Sequence, residues 1–350
     1  MRGGQQQLLM LARGLRDRGH QQMVVTLDGT ALEGGARAEG FRVFVLPAHD
    51  PAHAHGVMQL RQLLHAESFQ IVHAHDGLGQ SLSWFASAGL PAKRVASRRV
   101  TFVPARAFDT RVKYGWMCDA VIAVSHYVKQ LLLDSGIPAS DVHVIPDGVE
   151  LPESLGDAGV RAGVRAAWAM SEAGFAVGYL GALSHEKGHD VALNAMAIVQ
   201  QSLPDSSIIV ASDAGGLMLT VCLNVRRLML PENHAEFFAA IDLFIMPSRA
   251  EGLGSSALLA MAHGVPVIAS RVGGIPEIVD DGETGWLVPP DDPAALAEAI
   301  TRAASERARL VAMGRKARER ARQFSSTLMV ERTERLYEKT VKSRELRVES

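Results

Sequence analysis

A chain of 350 residues that is 47% hydrophobic and 21% charged is long enough for two α/β domains with separate cores. Its formal net charge of -2 excludes the broad positive field of a general nucleic-acid binder. No apolar run approaches the roughly 18–20 residues that cross a bilayer. Cys118 and Cys222 lie far apart with no CxxC or Cys/His spacing, so they read as reduced core thiols in a cytoplasmic setting.

In chain order, Arg2-Gly3-Gly4 leads into an amphipathic helix with Leu8, Leu11, Ala12 and Leu15 on one face, stopped at Gly19. Val24–Leu27 and Phe41–Leu46 read as strands. Ile71-Val-His-Ala-His75-Asp76 is a strand running into a loop, where alternation sends His73 and His75 to one side. Two histidines so placed can hold a metal, but no third ligand is near, and the plainer reading is a satisfied histidine at a strand end. Lys93, Arg94, Arg98, Arg99, Arg106, Arg111 and Lys113 form a basic segment opposed only by Asp109 and interleaved with Phe102, Phe108, Tyr114 and Trp116. Such a run is ordinarily a solvated face. In a chain of near-zero charge it is also the clear local positive field, suited to an anionic acceptor or a membrane surface. Asp119–Ser125 is a buried strand followed by a helix through Leu133, Val142–Val149 is a strand and turn, and Leu151–Gly159 reads as a linker.

The second half opens on the strand Phe175–Gly181 and a loop carrying Lys187 ahead of a helix over Val191–Gln200. Ile208–Ser212 runs toward the pair Gly215-Gly216, and the following Leu217–Leu223 is unusually apolar for an exposed helix. Ile241–Met246 is a short apolar run ended by Pro247, the pattern of a buried strand. Arg249-Ala-Glu-Gly-Leu-Gly254 is a glycine-rich loop, Ser255–Ala262 favours helix, and Val265–Ala269 resumes as strand. Strand, glycine loop and helix start together make an anion site, because unpaired N–H groups and the positive helix end converge there. Ser255 and Ser256 suit capping or donation to a phosphate. Glu251 is either a ligand-orienting carboxylate or a solvated loop acid. Pro293–Ala304, Glu306–Phe324 and Ser326–Arg347 complete the chain as helices.

The stretch Pro247–Ser270, with Arg271-Val-Gly-Gly-Ile-Pro-Glu-Ile-Val279 and Asp281-Gly-Glu-Thr-Gly-Trp-Leu-Val288, resembles the donor-binding signature of retaining glycosyltransferases of family 4. The resemblance implies the α/β GT-B fold, two Rossmann-like doubly wound domains facing across a cleft. It implies an acceptor-side domain over residues 1–152, a donor domain over 153–325, and a helix over 326–350 that crosses back to the first domain. The donor would be a nucleotide-diphosphate sugar, with no separate cofactor and no metal. The acceptor would be a glycan or lipid-linked molecule of cell-envelope polysaccharide or lipopolysaccharide synthesis, met in the cytoplasm or at the inner face of the membrane.

Carried over residue by residue, Glu251 would orient sugar hydroxyls and Lys187 would offset diphosphate charge. His75 would lie near the sugar and phosphate. Gly3, Gly4, Gly181, Gly252, Leu253, Gly254, Ser255 and Ser256 would bind substrate, with Arg98, Arg99 and Lys113 on the acceptor side. Three departures stand out. Ala182 replaces the Arg that follows the glycine corresponding to Gly181, and Leu259 replaces a second Glu that binds ribose hydroxyls. The first β-strand expected ahead of Gly3-Gly4 is also missing from the sequence. Either the start is placed too late, the reading favoured here, or two neighbouring strands are left with unpaired edges. These departures keep a weak or inactive binding protein of the same fold open as a second reading, with a nucleotide-sugar epimerase a third.

Overall fold

The computed structural model describes residues 3–48, 54–102, 107–155, 158–212, 225–229 and 234–348. Gly215-Gly216, Leu217–Leu223, Arg106 and Cys222 lie outside the described residues. In chain order the elements begin α1 (Gly3–Asp17), β1 (Met23–Leu27), α2 (Ala31–Ala38), β2 (Arg42–Leu46), α3 (Ala54–Glu67) and β3 (Ile71–Ala74). Next come α4 (Gly77–Ser87), β4 (Lys93–Arg98), α5 (Ala107–Thr110), β5 (Ala120–Ala123), α6 (His126–Asp134) and β6 (Val142–Val144). Then follow α7 (Ala158–Ala167), β7 (Ala176–Leu180), α8 (His189–Ser202), β8 (Ser207–Ser212), β9 (Val225–Met229) and α9 (His234–Ala240). The chain ends with β10 (Leu243–Met246), α10 (Ser255–Ala262), β11 (Val267–Ser270), α11 (Ile275–Ile278), β12 (Gly285–Val288), α12 (Pro293–Ser305), α13 (Arg307–Ala321) and α14 (Ser326–Val348).

Two compact units divide this list: Met1–Gly148 with Ser326–Ser350, and Val149–Ser325. The region read as a linker therefore runs into α7 at Ala158. In the first unit, side chains start the helices where the sequence offers short polar caps. Thr30 accepts from the Glu33 N–H at 3.3 Å, Asp76 from Gly79 at 2.7 Å and Ser125 from Val128 at 3.1 Å. Its strands are all parallel and form two separate sheets, β1-β2 and β3-β4-β5-β6. Among the described residues β1 pairs only with β2, and β3 only with β4, so each keeps one open edge. The final helix α14 belongs here, where Met329, Val330 and Leu336 pack with Leu11 and Leu15 of α1 and Val95 of β4.

The second unit is one six-stranded parallel sheet in the order β12-β11-β10-β7-β8-β9. Helices cover both faces. Val177 and Tyr179 of β7 share a core with Val191 and Met196 of α8 and Leu296 and Ile300 of α12. On the opposite face a Cβ at Gly178 would meet Phe237 of α9 and Ile241, so only glycine lets that helix sit so close. From β7 the chain winds outward through β8 and β9, then returns to β10 beside β7 and winds the other way. The switch of direction between β7 and β10 leaves a crevice at their carboxyl ends, where doubly wound sheets bind ligands.

Arg165 holds the back of this arrangement. Its fully buried guanidinium donates to the carbonyls of Ala240, Glu172 and Gly174 at 2.9–3.0 Å and to Asp242 Oδ2 at 2.8 Å. Asp242 in turn accepts from the Ala176 N–H that opens β7. Arg165→Met would leave those carbonyls unpaired and Asp242 with less positive charge beside it. We expect a loss of about 3–5 kcal/mol in urea unfolding; a loss below about 1 kcal/mol would contradict this role.

Candidate functional site

The carboxyl ends of β7 and β10 are joined by backbone and charge. After β7 the chain turns at Gly181 and forms a short 3₁₀ turn, His185–Lys187, closed by Gly188 in the left-handed region at φ 66°. A Cβ on Gly188 would overlap the Pro247 carbonyl that ends β10, so glycine is required for the two corners to touch. Arg249 reaches back across the same seam. Its backbone N–H donates to Glu186 O at 2.8 Å, and its guanidinium grips both Asp190 oxygens at 2.8 and 2.9 Å. It also donates to Asp291 Oδ1 at 2.5 Å. The Arg249 hydrogen bonds hold the Asp190 carboxyl down to about 2.

Lys187 and Glu251 meet over this seam. Lys187 Nζ donates to Glu251 Oε1 at 2.5 Å, and Ser248 Oγ donates to the same oxygen at 3.1 Å. Glu251 is only 8% exposed, which removes the reading of it as a solvated loop acid. Its backbone is fixed from below: Gly274 N–H donates to Glu251 O at 3.2 Å, and Gly273, at φ 55°, lies where any Cβ would overlap that carbonyl. Tyr179 adds a hydroxyl that donates to Ala182 O at 2.9 Å, with burial and then the Glu251 charge pushing its phenol well above the usual range. Gly181, Lys187, Ser248 and Ser256 line a pocket of about 20 Å³, roughly the space of one water.

The glycine loop delivers the start of α10 to the same corner. Gly254 at φ 103° is the residue before the helix, and no side chain caps it. Ser255 and Ser256 therefore do not cap α10, as the sequence suggests, but occupy its first turn, half-buried, with the positive end of the helix. Gly252 and Leu253 are buried beneath. Sequence reasoning missed Ser248, Tyr179, Asp190 and Gly273. Only Gly273 carried a signal, in the paired glycines of Val272-Gly-Gly-Ile275.

The remaining expected residues lie in the first unit. Gly3 and Gly4 open α1, and a Cβ on Gly4 would sit 4.0 Å from Arg99 Cδ. Arg99 bonds Asp147 at 2.8 Å and approaches His75 Nδ1 at 3.3 Å. The His75 and His73 rings lie 4.0 Å apart, tilted by 33°, on one side of the strand as alternation predicts. His73 bridges Tyr337 Oη at 2.5 Å and Ser97 Oγ at 2.8 Å.

The basic segment is largely neutralised within the fold, which corrects its reading as opposed by Asp109 alone. Lys93 and Arg94 pair with Asp119 at 3.3 and 3.1 Å. Arg98 is buried, bonds the Phe102 carbonyl and lies over Tyr114, so it is withdrawn from any acceptor surface. Lys113 is half-exposed near the start of α4, with Phe102 and Trp116 exposed. Cys118 donates to Lys113 O, and burial pushes its thiol up to about 11. Among the described residues no three His, Cys, Asp or Glu side chains converge as a metal site needs, and no helix is long and apolar enough to cross a membrane.

Residues 1–153 match the family profile described as Glycosyltransferase Family 4, and residues 174–306 match that of Glycosyl transferases group 1. A D-inositol 3-phosphate glycosyltransferase of Streptomyces avermitilis is 28% identical over 345 residues, 89% of this chain and 74% of the relative. The lipopolysaccharide core biosynthesis mannosyltransferase LpsB of Rhizobium meliloti is 34% identical over 151 residues, 39% of this chain and 43% of the relative. Among solved structures, the Anabaena protein HepE, crystallised with UDP-glucose, superposes with a TM-score of 0.85 at 22% identity. That superposition covers 98% of this chain and 96% of HepE. A sucrose-phosphate synthase of Thermosynechococcus elongatus superposes with a TM-score of 0.71 at 20% identity, covering 94% of this chain and all of that one. The likenesses establish the GT-B fold.

The histidine pair sets a pH dependence. Desolvation, with Arg99 nearby, pulls the His73 imidazole down to about 3, whereas the unfolded chain protonates near 6.5. Stability is then complete above pH 6.5 and falls as the pH drops toward 3, by at most about 1.4 kcal/mol per unit for each such histidine. His73→Gln, which keeps hydrogen bonding without titrating, is expected to flatten urea-unfolding stability against pH over that range. An unchanged slope would contradict the assignment.

Proposed function

From the premise that this chain is a glycosyltransferase of the family-4 type, we propose that it moves a sugar from a nucleotide-diphosphate sugar to a glycan or lipid-linked acceptor, with retention at the anomeric carbon. The process served would be cell-envelope polysaccharide or lipopolysaccharide synthesis. The observation that carries the reading is the Lys187–Glu251 pair at the β7/β10 switch point, beside the start of α10. A sugar diphosphate leaving its anomeric carbon gains negative charge on the departing phosphate. The Lys187 ammonium and the positive end of α10 both favour that charge. Glu251 accepts from sugar hydroxyls with the oxygen left by Lys187 and Ser248.

A diphosphate arriving here meets an ammonium already paired with a carboxylate. It brings more charge than Glu251 and can share or draw off Lys187, leaving the carboxylate to the sugar. The acceptor hydroxyl attacks on the face from which the phosphate leaves, and its proton passes to a phosphate oxygen, so no protein nucleophile is needed. In the first unit, His75 with Gly3 and Gly4 would serve the donor's sugar and phosphate and Arg99 the acceptor, and Lys113 with exposed Phe102 and Trp116 suits an anionic or lipid-linked acceptor at a membrane face. The printed activities of the relatives, on an inositol phosphate and in a lipopolysaccharide core, and the UDP-glucose of the HepE crystals support a nucleotide-sugar donor and an acceptor of this class.

A second reading, a weak or inactive binding protein, is favoured by one observation: position 259, half-buried on α10, is leucine, and position 182 is alanine. Each removes a charge expected at the donor. One charged hydrogen bond contributes roughly 1.5–3 kcal/mol, or about one to two decades of affinity.

Calorimetry with UDP-, GDP- and ADP-sugars separates the readings, since absence of heat with every donor leaves only the second. For the first, Lys187→Ala and Glu251→Ala are each expected to lower kcat/KM for donor turnover by about 10–100-fold, and Leu259→Glu to tighten donor binding by about tenfold. Unchanged rates in both alanine variants would overturn the site.

A further inference from the structure

One guanidinium decides what His75 can do. His73 and His75 on and just past β3, and Ser97 and Arg99 on and just past β4, fall on one side of their sheet, in the register that pairs Ala74 with Ala96. His73 is held at both ring nitrogens, by Tyr337 Oη at 2.5 Å and Ser97 Oγ at 2.8 Å. Its ring lies 4.0 Å from that of His75 and gives it a fixed wall. At the edge of the His75 ring, Arg99 Nη1 stands 3.3 Å from Nδ1. His75 Nε2 has no hydrogen-bond partner among the described residues.

A guanidinium carries donors and no acceptor, so the shared hydrogen belongs to Arg99 and Nδ1 presents its lone pair. The one proton of the uncharged ring is then on Nε2. A proton on Nδ1 would set N–H against N–H. Burial first, then His73 and Arg99, hold the His75 imidazole well below its usual range. Arg99 cannot turn away, because Asp147, nearly buried on the turn after β6, accepts from Arg99 Nε at 2.8 Å. A charged hydrogen bond of that length fixes the plane of the guanidinium. With Nε on Asp147 and Nη1 on His75, Nη2 is left for the acceptor. The whole relay lies within the first unit.

We propose that Asp147 and Arg99 are positioning residues that lock His75 as its Nε2–H tautomer, so that His75 meets the sugar diphosphate as a hydrogen-bond donor to a hydroxyl or phosphate oxygen, and neither as a base nor as a metal ligand. The ligand named here rests on the donor reading above; the tautomer does not.

The tautomer is read without ligand, from long-range proton–nitrogen correlation spectra of the full chain labelled with nitrogen-15 at its 13 histidines. The His75 signals are those lost in His75→Gln. At neutral pH, Nδ1 is expected to resonate as an unprotonated ring nitrogen and Nε2 as a protonated one. In Arg99→Leu the two signals are expected to move toward each other as the ring exchanges between tautomers, and in Asp147→Asn to move the same way by less. Arg99→Lys keeps the charge but cannot reach both partners; it is expected to behave as Arg99→Leu and replaces that variant if it does not fold. A protonated Nδ1 in the unaltered chain, or an unchanged His75 pattern in the Arg99 variant, overturns the proposal.

Calorimetry with UDP-, GDP- and ADP-glucose reads the ligand contact. For the glucose donor that binds, His75→Ala and Arg99→Leu are each expected to weaken binding by about tenfold, and the double variant by no more than His75→Ala alone, because Arg99 acts through His75. Losses that multiply would put Arg99 on the donor directly and overturn its positioning role. No heat from any of the three, with the tautomer pattern as expected, overturns the donor contact and leaves the lock standing.

Discussion

Everything at the corner between β7 and β10 depends on one ion pair, Lys187 Nζ to Glu251 Oε1 at 2.5 Å. The two side chains come from loops 64 residues apart in sequence, brought together because β7 and β10 are neighbours in the sheet. Glu251 is nearly buried and Lys187 about one-third exposed, so the pair sits between a surface bridge worth little and a buried one whose disruption costs several kcal/mol. That intermediate position suits a binding group, since the pair orders the corner at a modest cost to disrupt.

The backbone around the pair is arranged to allow this contact and little else. Gly188 and Gly273 both take left-handed conformations where a side chain would strike a carbonyl, of Pro247 in one case and Glu251 in the other. Arg249 ties the seam through Asp190 and Asp291, so the loops cannot drift apart without breaking several charged hydrogen bonds. The same parallel architecture organises the first unit, but there the order is interrupted between β1 and β3. The two halves are held by α1 and α14 packing over the sheets, and by the His73–Tyr337 bond that ties α14 to β3.

Much of the second unit was legible from the sequence because its signals are local. The apolar run ending at Pro247, the glycines of Glu251–Gly254 and the helix-favouring Ser255–Ala262 each dictate their structure over a few residues. The role of Glu251 was not decidable locally, since its burial depends on Gly273 and Gly274 arriving from beyond β11. Ser248 gave no signal at all, for a serine before an arginine says nothing until the loop folds it onto Glu251. The basic segment misled for the complementary reason. Its charges are adjacent in sequence, while Asp119 and Asp147, which neutralise Arg94 and Arg99, come from a neighbouring strand start and a turn after β6. Capping by Ser255 failed because Gly254 alone can take φ 103° there, which makes the glycine the boundary residue. The strand β9 went unread since Val225-Arg-Arg-Leu-Met229 has neither clean alternation nor a continuous apolar run.

The most direct measurement of the central claim is backbone hydrogen exchange of the full chain with and without a saturating nucleoside diphosphate. A diphosphate held between Lys187 and the start of α10 predicts slowed exchange at Gly252–Ser256 and at Lys187–Gly188, lost in Lys187→Ala. Protection confined to other segments, with those amides unchanged, would contradict the account.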